Sequence, residues 1–476
     1  MKNVVIVGGG FAGLNAAKKL GGRADVRVTL VDRQNYHLFQ PLLYQVAMAG
    51  LSPADIATPI RSVLARCRNI SVLQGSVEGV DLQAQAVSAD FGRLEFDYLL
   101  LCCGSMPSYF GHGDWEENAP SLKTIPQATE IRRRLLSAFE AAERTDDPET
   151  RRQLLTFVVI GGGPTGVELA GAIGEMSRFT LARDFRNIDT RLTRVILIES
   201  GPRILSMFSE QQAARAARDL EKLGVQVWPN TLATDIDEHG VQAGPERIAS
   251  STVLWAAGVR GVEVAGLIGR PGQQPERART DRGSGVETDR SENVRLDRGG
   301  RVVVDEDLTI PGHPNVFVAG DQACFTHQTG APLPGTAPVA IQQGRYVARA
   351  ICRDLAGKPR EPFRFVDRGQ MATIGRSRAV AEIGKLRFSG WFAWITWLVV
   401  HVYFLVGFKN RLLVVLHWAW SYVTFRRGAR LIVEREWRFG GRAGRKDKTV
   451  PAADKTVPAA DKTVPARDVT RTEGKD

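Results

Sequence analysis

Three glycines near the N-terminus, Gly8, Gly10 and Gly13, follow the apolar run Val4-Val5-Ile6-Val7 and precede an alanine-rich segment over 15–20. A G-x-G-x-x-G between a strand and a helix is a phosphate cradle. The first glycine permits the tight turn, the second lets a pyrophosphate approach the backbone, and the third lets helix lie on strand. The helix N-terminus adds free N–H groups and the positive end of its dipole. A second apolar run over 26–31 ends in Asp32, 24 residues beyond Gly8, where a carboxylate accepts hydrogen bonds from a ribose diol. The same set recurs. Leu155-Thr156-Phe157-Val158-Val159-Ile160 leads into Gly161, Gly163 and Gly166, and the helix-like Val167-Glu168-Leu169-Ala170-Gly171 follows. A further strand over 195–198 ends in Glu199, 38 residues beyond Gly161, and this long gap predicts an extra helix or insertion.

These residues need strand–turn–helix units to hold them, so the expected fold class is α/β with two Rossmann-like dinucleotide-binding domains. Two cradles on one chain imply two dinucleotides, most economically a bound FAD and a diffusing nicotinamide. Each domain closes with a strand ending in a small residue and glycine: Cys102-Cys103-Gly104 in the first, Ala256-Ala257-Gly258 in the second. Val316-Phe317-Val318-Ala319-Gly320-Asp321 returns to the first domain, with Gly320 at the turn and the Asp321 carboxylate placed for the ribityl hydroxyls. Glu199 favours a free ribose 2′-OH and repels a 2′-phosphate, so NADH is expected over NADPH, with Arg203 partly offsetting the preference. A helix beginning near Pro338 directs its dipole at the flavin if its N-terminus faces the ring.

At 476 residues and 43% hydrophobic content the chain holds two or three domains with full cores. The first core strand begins at Asn3 and leaves no room for a secretory signal, which suits a cytoplasmic chain. Cys67, Cys102, Cys103, Cys324 and Cys352 form no C-x-x-C, so no disulfide framework and no metal site are expected. The net charge is +11, with much of the excess at Arg426, Arg427, Arg430, Arg435, Arg438, Arg442, Arg445 and Lys446. A basic run beside an apolar one points to an anionic lipid surface and away from nucleic acid, for which no motif is present. A merely solvated tail is the alternative.

One further stretch is specific. Asn35-Tyr36-His37-Leu38-Phe39-Gln40-Pro41-Leu42-Leu43-Tyr44-Gln45-Val46-Ala47, followed by Leu51-Ser52-Pro53 and Pro59-Ile60-Arg61, resembles the signature of the type II, non-proton-pumping NADH dehydrogenases. The resemblance runs from residue 1 to about 440. It implies electron transfer from NADH through FAD to a membrane quinone, with Pro41 and Leu42 against the flavin ring. Glu168 matches a family carboxylate near nicotinamide and quinone. A relay role and a plain helix-start glutamate stand level as readings of it. The family's quinone motif Ala-Gln-x-Ala-x-Gln appears as Ala337-Pro338-Val339-Ala340-Ile341-Gln342, so the resemblance leaves Gln342 as the quinone contact, against the alternative of a polar helix-face residue.

Residues 391–408 carry no formal charge over 18 positions, Lys409, Asn410 and Arg411 interrupt, and 412–425 add 14 more. Ser389, Thr396, Tyr403 and Asn410 recur every seventh residue as a polar stripe, and tryptophans abound. A pair of interfacial helices forming a monotopic anchor fits this pattern, with a span or a homodimer interface as alternatives. The expected partition is an FAD domain over 1–115 and 296–360, an NADH domain over 116–268, a polar insertion over 269–295, an anchor over 361–445, and a tail over 446–476 repeating Lys-Thr-Val-Pro-Ala-Ala-Asp. The expected location is the cytoplasmic face of the cell membrane. A sulfide:quinone oxidoreductase shares this plan but needs a cysteine pair at the flavin; an NADH-sensing flavoprotein is a rival from a different class.

Overall fold

The computed structural model describes residues 1–262, 268, 294–424 and 429–433. β1 (Lys2–Val7) runs into α1 (Phe11–Leu20) and returns as β2 (Val26–Asp32). After the short α2 (Leu43–Ala47) come β3 (Ile70–Gln74) and β4 (Tyr98–Leu101). α3 (Ile125–Arg144) leads to a second unit of β5 (Thr156–Ile160), α4 (Pro164–Glu175), β6 (Arg194–Ile198), α5 (Glu210–Lys222), β7 (Val225–Trp228) and β8 (Thr252–Trp255). The chain then adds β9 (Thr309–Ile310), β10 (His313–Val318) and α6 (Ala337–Leu355). It ends, within the described residues, in β11 (Gln370–Gly375), β12 (Arg378–Ile383), β13 (Leu386–Ser389), α7 (Trp391–Phe404) and α8 (Phe408–Thr424).

The first sheet has the order β9-β10-β4-β1-β2-β3 and is parallel except for the β9–β10 pair. The second, β7-β6-β5-β8, is parallel throughout. In each sheet the central strand has its successor on one side and a later strand on the other. The crevice at that switch point opens beyond the strand C-termini, where the cradles lie. The first sheet is therefore built from both ends of the sequence, with Leu99–Leu101 of β4 paired to Val316–Val318 of β10. α6 crosses α1 so closely that a Cβ on Gly344 would stand 2.1 Å from the Ala12 carbonyl oxygen.

The long gap after Gly161 is a helix extension, since α4 continues through one π-helical turn, Met176–Thr180, and a loop with a 3-10 turn at Thr190–Leu192 follows. α3 begins at Ile125, behind the N-cap Thr124. Thr124 and Gln127 form a capping box there, with Pro126 in the first turn. The C-terminal helix pair also differs from expectation. Lys409, Asn410 and Arg411 belong to α8, and the break falls at 405–407, where Gly407 takes a φ of 92°. Ser389 ends β13 and Asn410 lies in α8, so the seven-residue stripe does not share one helix. Among the described residues no helix is long and apolar enough to cross a membrane. Except for Val294 and Arg295, the 269–295 insertion lies outside the described residues, as do the 446–476 repeat and Arg426, Arg427, Arg435 and Arg438.

Candidate active site

Both cradles are built alike. Gly8 holds a φ of +108° and Gly161 of +107°, which L side chains resist. A Cβ on Gly13 would stand 1.9 Å from the Gly8 oxygen, and one on Gly166 1.8 Å from the Gly161 oxygen, so these two glycines are fixed by helix–turn packing. Gly10 and Gly163 differ, since a Cβ there meets no protein atom within 4 Å. Both are helix N-caps with no side-chain cap, leaving first-turn N–H groups to face the open space. That is the shape and donor set a dinucleotide pyrophosphate requires. Asp32 accepts from Gly9 N at 2.5 Å and Gln34 N at 2.7 Å. Glu199 accepts from Gly162 N and Gly201 N, each at 2.6 Å. Each acid thus braces its own glycine turn, and its remaining lone pairs are what a ribose would find.

Around the first cradle the structure adds Ser105, Lys123, Gln322 and Gln343 to the expected Gly104, Gly320 and Asp321. Asp321 Oδ2 accepts from Ser105 Oγ at 2.6 Å, and Lys123 Nζ lies 2.9 Å from that hydroxyl and 3.7 Å from the carboxylate. Gly104 and Gly320 take positive φ beside them, while a Cβ on Gly258 would press on the Phe110 ring. The buried Gln343 accepts from Gly320 N at 2.6 Å, and the buried Gln322 accepts from Cys103 N at 2.6 Å. Gln342 points elsewhere. Its Nε2 donates to Val366 O at 2.9 Å and its Oε1 accepts from Val366 N at 3.0 Å. A quinone contact through Gln342 would break both bonds, whereas its neighbour Gln343 is the glutamine turned inward.

The loop after β2 lies over the cradle. His37 is buried and donates from Nδ1 to Gly9 O at 3.0 Å; burial lowers it to about 4, so it stays neutral. Phe11 sits edge-on to His37 and Phe39, and Phe39 reaches His401 of α7, so rings run from cradle to C-terminal helix. Pro41 is half-buried and Leu42 buried in the following 3-10 turn. Beyond it a cavity of about 110 Å³ is lined by Tyr44, Gln45, Glu168, Glu175, Arg376 and Trp397 among others. Burial raises Glu168 to about 8, against a weaker pull from a Thr373 backbone hydrogen bond, so its carboxyl keeps its proton at neutral pH.

With this geometry in hand, the likenesses to known proteins are specific. The pyridine nucleotide-disulphide oxidoreductase model matches residues 2–344, and the NDH2 C-terminal domain model matches 368–427. A type II NADH:quinone oxidoreductase of Mycobacterium tuberculosis is 44% identical over 91% of this chain and 90% of its own length. The chain belongs to the type II NADH:quinone oxidoreductase family. A member from Staphylococcus aureus is 29% identical over 80% of this chain and 90% of its own. The structure of NDH2 from Plasmodium falciparum in complex with NADH shares the fold, with a TM-score of 0.78 at 19% identity, over 91% of this chain and all of that one. A sulfide:quinone oxidoreductase from Aquifex aeolicus superposes at 0.66 and 20% identity.

Two of the cysteines lie at the first cradle. Cys102 is buried beneath the turn, its thiol on the Val7 and Gly8 carbonyls, and burial pushes its pKa up. Cys103 is pushed up to about 11 by burial. Neither is a thiolate at neutral pH, so neither offers the nucleophile that sulfide chemistry needs. Among the described residues no group of His, Cys, Asp or Glu side chains is placed to hold a metal ion.

Proposed function

We infer that the chain is an FAD-dependent NADH:quinone oxidoreductase that docks on a lipid surface through its C-terminal helices. The observation that carries this reading is the pair of like-built cradles joined to a protonated carboxyl, Glu168, and a helix pair that faces outward with aromatics. FAD, when bound, supplies the two-electron chemistry between NADH and quinone. The first cradle, Asp32 and the Asp321–Ser105–Lys123 set would hold its pyrophosphate, ribose and ribityl chain. The second cradle and Glu199 would hold NADH. Pro41 and Leu42 would bound the ring and exclude water, and Glu168 keeps a proton near the acceptor.

On α7 and α8, Trp391, Phe392, Tyr403, Leu416 and Trp420 are exposed, while Ala393 and Trp397 face inward. Exposed tryptophan and tyrosine with apolar neighbours suit the headgroup boundary of a bilayer. In this reading the protein is monotopic on the cytoplasmic membrane face, with quinone arriving from the lipid side. A homodimer burying the same face is the competing reading, and vesicle flotation against detergent-free mass measurement separates the two. The activity is tested by adding NADH to the purified protein and following flavin absorbance. Bleaching by NADH and recovery on a short-chain quinone is the expected result, and bleaching without quinone-driven recovery would sink the quinone assignment.

A further inference from the structure

β11 comes close to α4 at two glycines. A Cβ on Gly171 would stand 1.8 Å from Ile374 O, and one on Gly375 would stand 2.9 Å from Leu223 Cδ1 and 3.6 Å from Glu175 Oε2. This lets the strand address two carboxyls on the helix. The Thr373 backbone bonds Glu168, and Arg376 N donates to Glu175 Oε2 at 3.2 Å. The spacings agree: seven helical residues rise about 10.5 Å, and three strand residues span about 10 Å. Both carboxyls line the one cavity of about 110 Å³. At about 30 Å³ per water this is room for three or four molecules, enough to bridge that distance. The two ends differ. Glu168 lies within α4, whereas Glu175 ends it and accepts from Arg376 N, whose guanidinium covers the ring of the exposed Tyr422, at the start of the π-helical turn Met176–Thr180; Thr180 also lines the cavity. Such turns inside helices frequently mark functional positions.

We propose that Glu175 is the outer station of a proton path that enters beside Thr180 and Arg376, crosses the cavity through water and reprotonates Glu168. The proposal rests on the quinone reductase reading. Quinone takes two electrons and two protons to become quinol. NADH surrenders two electrons and one proton as hydride, so the second proton must come from bulk water. Glu168 gives that proton to the quinone oxygen and is left as a carboxylate. Glu175 passes one inward and is reprotonated from solvent. The net change is NADH, one proton and quinone to NAD⁺ and quinol.

The test is Glu175→Gln in the FAD-loaded enzyme, with Glu175→Asp as the variant that keeps a proton carrier. Expected are normal bleaching by NADH, quinone turnover about tenfold slower with a larger solvent deuterium isotope effect, near-normal turnover in the aspartate variant, and partial rescue of E175Q by added azide or formate. Hydrogen–deuterium exchange of the protonated Glu168 carboxyl, followed by its infrared band and assigned with Glu168→Gln, should also slow in E175Q. Wild-type turnover and isotope effect in E175Q would overturn the proposal, as would a loss that neither small acids nor aspartate restores. A wild-type enzyme bleached by NADH but never reoxidised by quinone would overturn the function reading, and this path with it.

Discussion

The four cradle glycines make a paired prediction that separates folding from cofactor binding. Gly13→Ala puts a methyl group 1.9 Å from Gly8 O and 2.9 Å from Cys102 Sγ. A comfortable C···O approach is about 3.3 Å, so the turn must retreat by more than an ångström. That retreat is resisted, because Gly8 N bonds Val31 O at 2.8 Å, Cys102 N bonds Val7 O at 2.9 Å and Asp32 grips Gly9 N. Overpacking of this kind costs about 3 kcal/mol. Gly10→Ala meets no protein atom, and its φ of −70° suits alanine. Its cost to the fold is the weaker N-cap, about 0.5–1 kcal/mol. The methyl group instead occupies the space for the pyrophosphate, so FAD affinity should fall on the order of 100-fold, about 2.7 kcal/mol. Thermal unfolding of FAD-stripped protein and calorimetric titration with FAD read the two effects separately. A Gly10→Ala protein as unstable as Gly13→Ala, or one binding FAD as tightly as the parent, would refute the division of roles.

The other predictions follow from single contacts. Glu168 holds its proton up to about 8 in the native state, whereas the unfolded chain releases it above 4.5. Stability should therefore fall as pH rises through that window, by at most about 1.4 kcal/mol per pH unit, and Glu168→Gln should flatten the profile in pH-dependent denaturation. Gln343→Leu leaves the Gly320 N–H without its buried acceptor and should cost about 1–3 kcal/mol with loss of bound FAD, while Gln342→Leu, which loses two bonds to the Val366 backbone, should cost about 1 kcal/mol with FAD retained; spectroscopic FAD content and melting curves compare them. Glu199→Ala should shift the ratio of NADH to NADPH efficiency toward NADPH by about tenfold, measured by steady-state kinetics. Phe392→Ser with Trp420→Ser should weaken vesicle binding by about tenfold or more, at roughly 1 kcal/mol per half-buried side chain, in flotation with anionic vesicles.

How much of this was readable in advance depends on whether a residue's identity sets its geometry. Gly8, Gly10 and Gly13 were legible because only glycine satisfies a positive φ, an open approach and a sub-van-der-Waals packing distance within six residues. Glu168 was visible as a carboxyl at a helix start, but its raised pKa comes from burial, with β11, about 200 residues later, packed on its helix, and no local pattern encodes that. Gln342 and Gln343 are adjacent, and a 100° step of helix decides which turns inward. The family motif points to Gln342, and the packing of α6 on α1 turns Gln343 inward. Asp321 was legible at its strand end, whereas Ser105 and Lys123, from two distant segments, had no sequence signal. The end of α7 did have one, in Gly407, two residues before the charged Lys409.

The split first sheet has a consequence for how the protein is made. β4 cannot gain its β10 neighbour until about 200 further residues have been synthesised, about 10–40 s at ordinary ribosome speeds. The second sheet, whose four strands all fall within residues 156–255, is complete well before that. The usual order in which the N-terminal unit folds first is thereby inverted. The second unit matures while the older strands of the first wait with an open edge at β4. That edge is the place where a nascent chain would need a chaperone, and where truncated or stalled products should aggregate first.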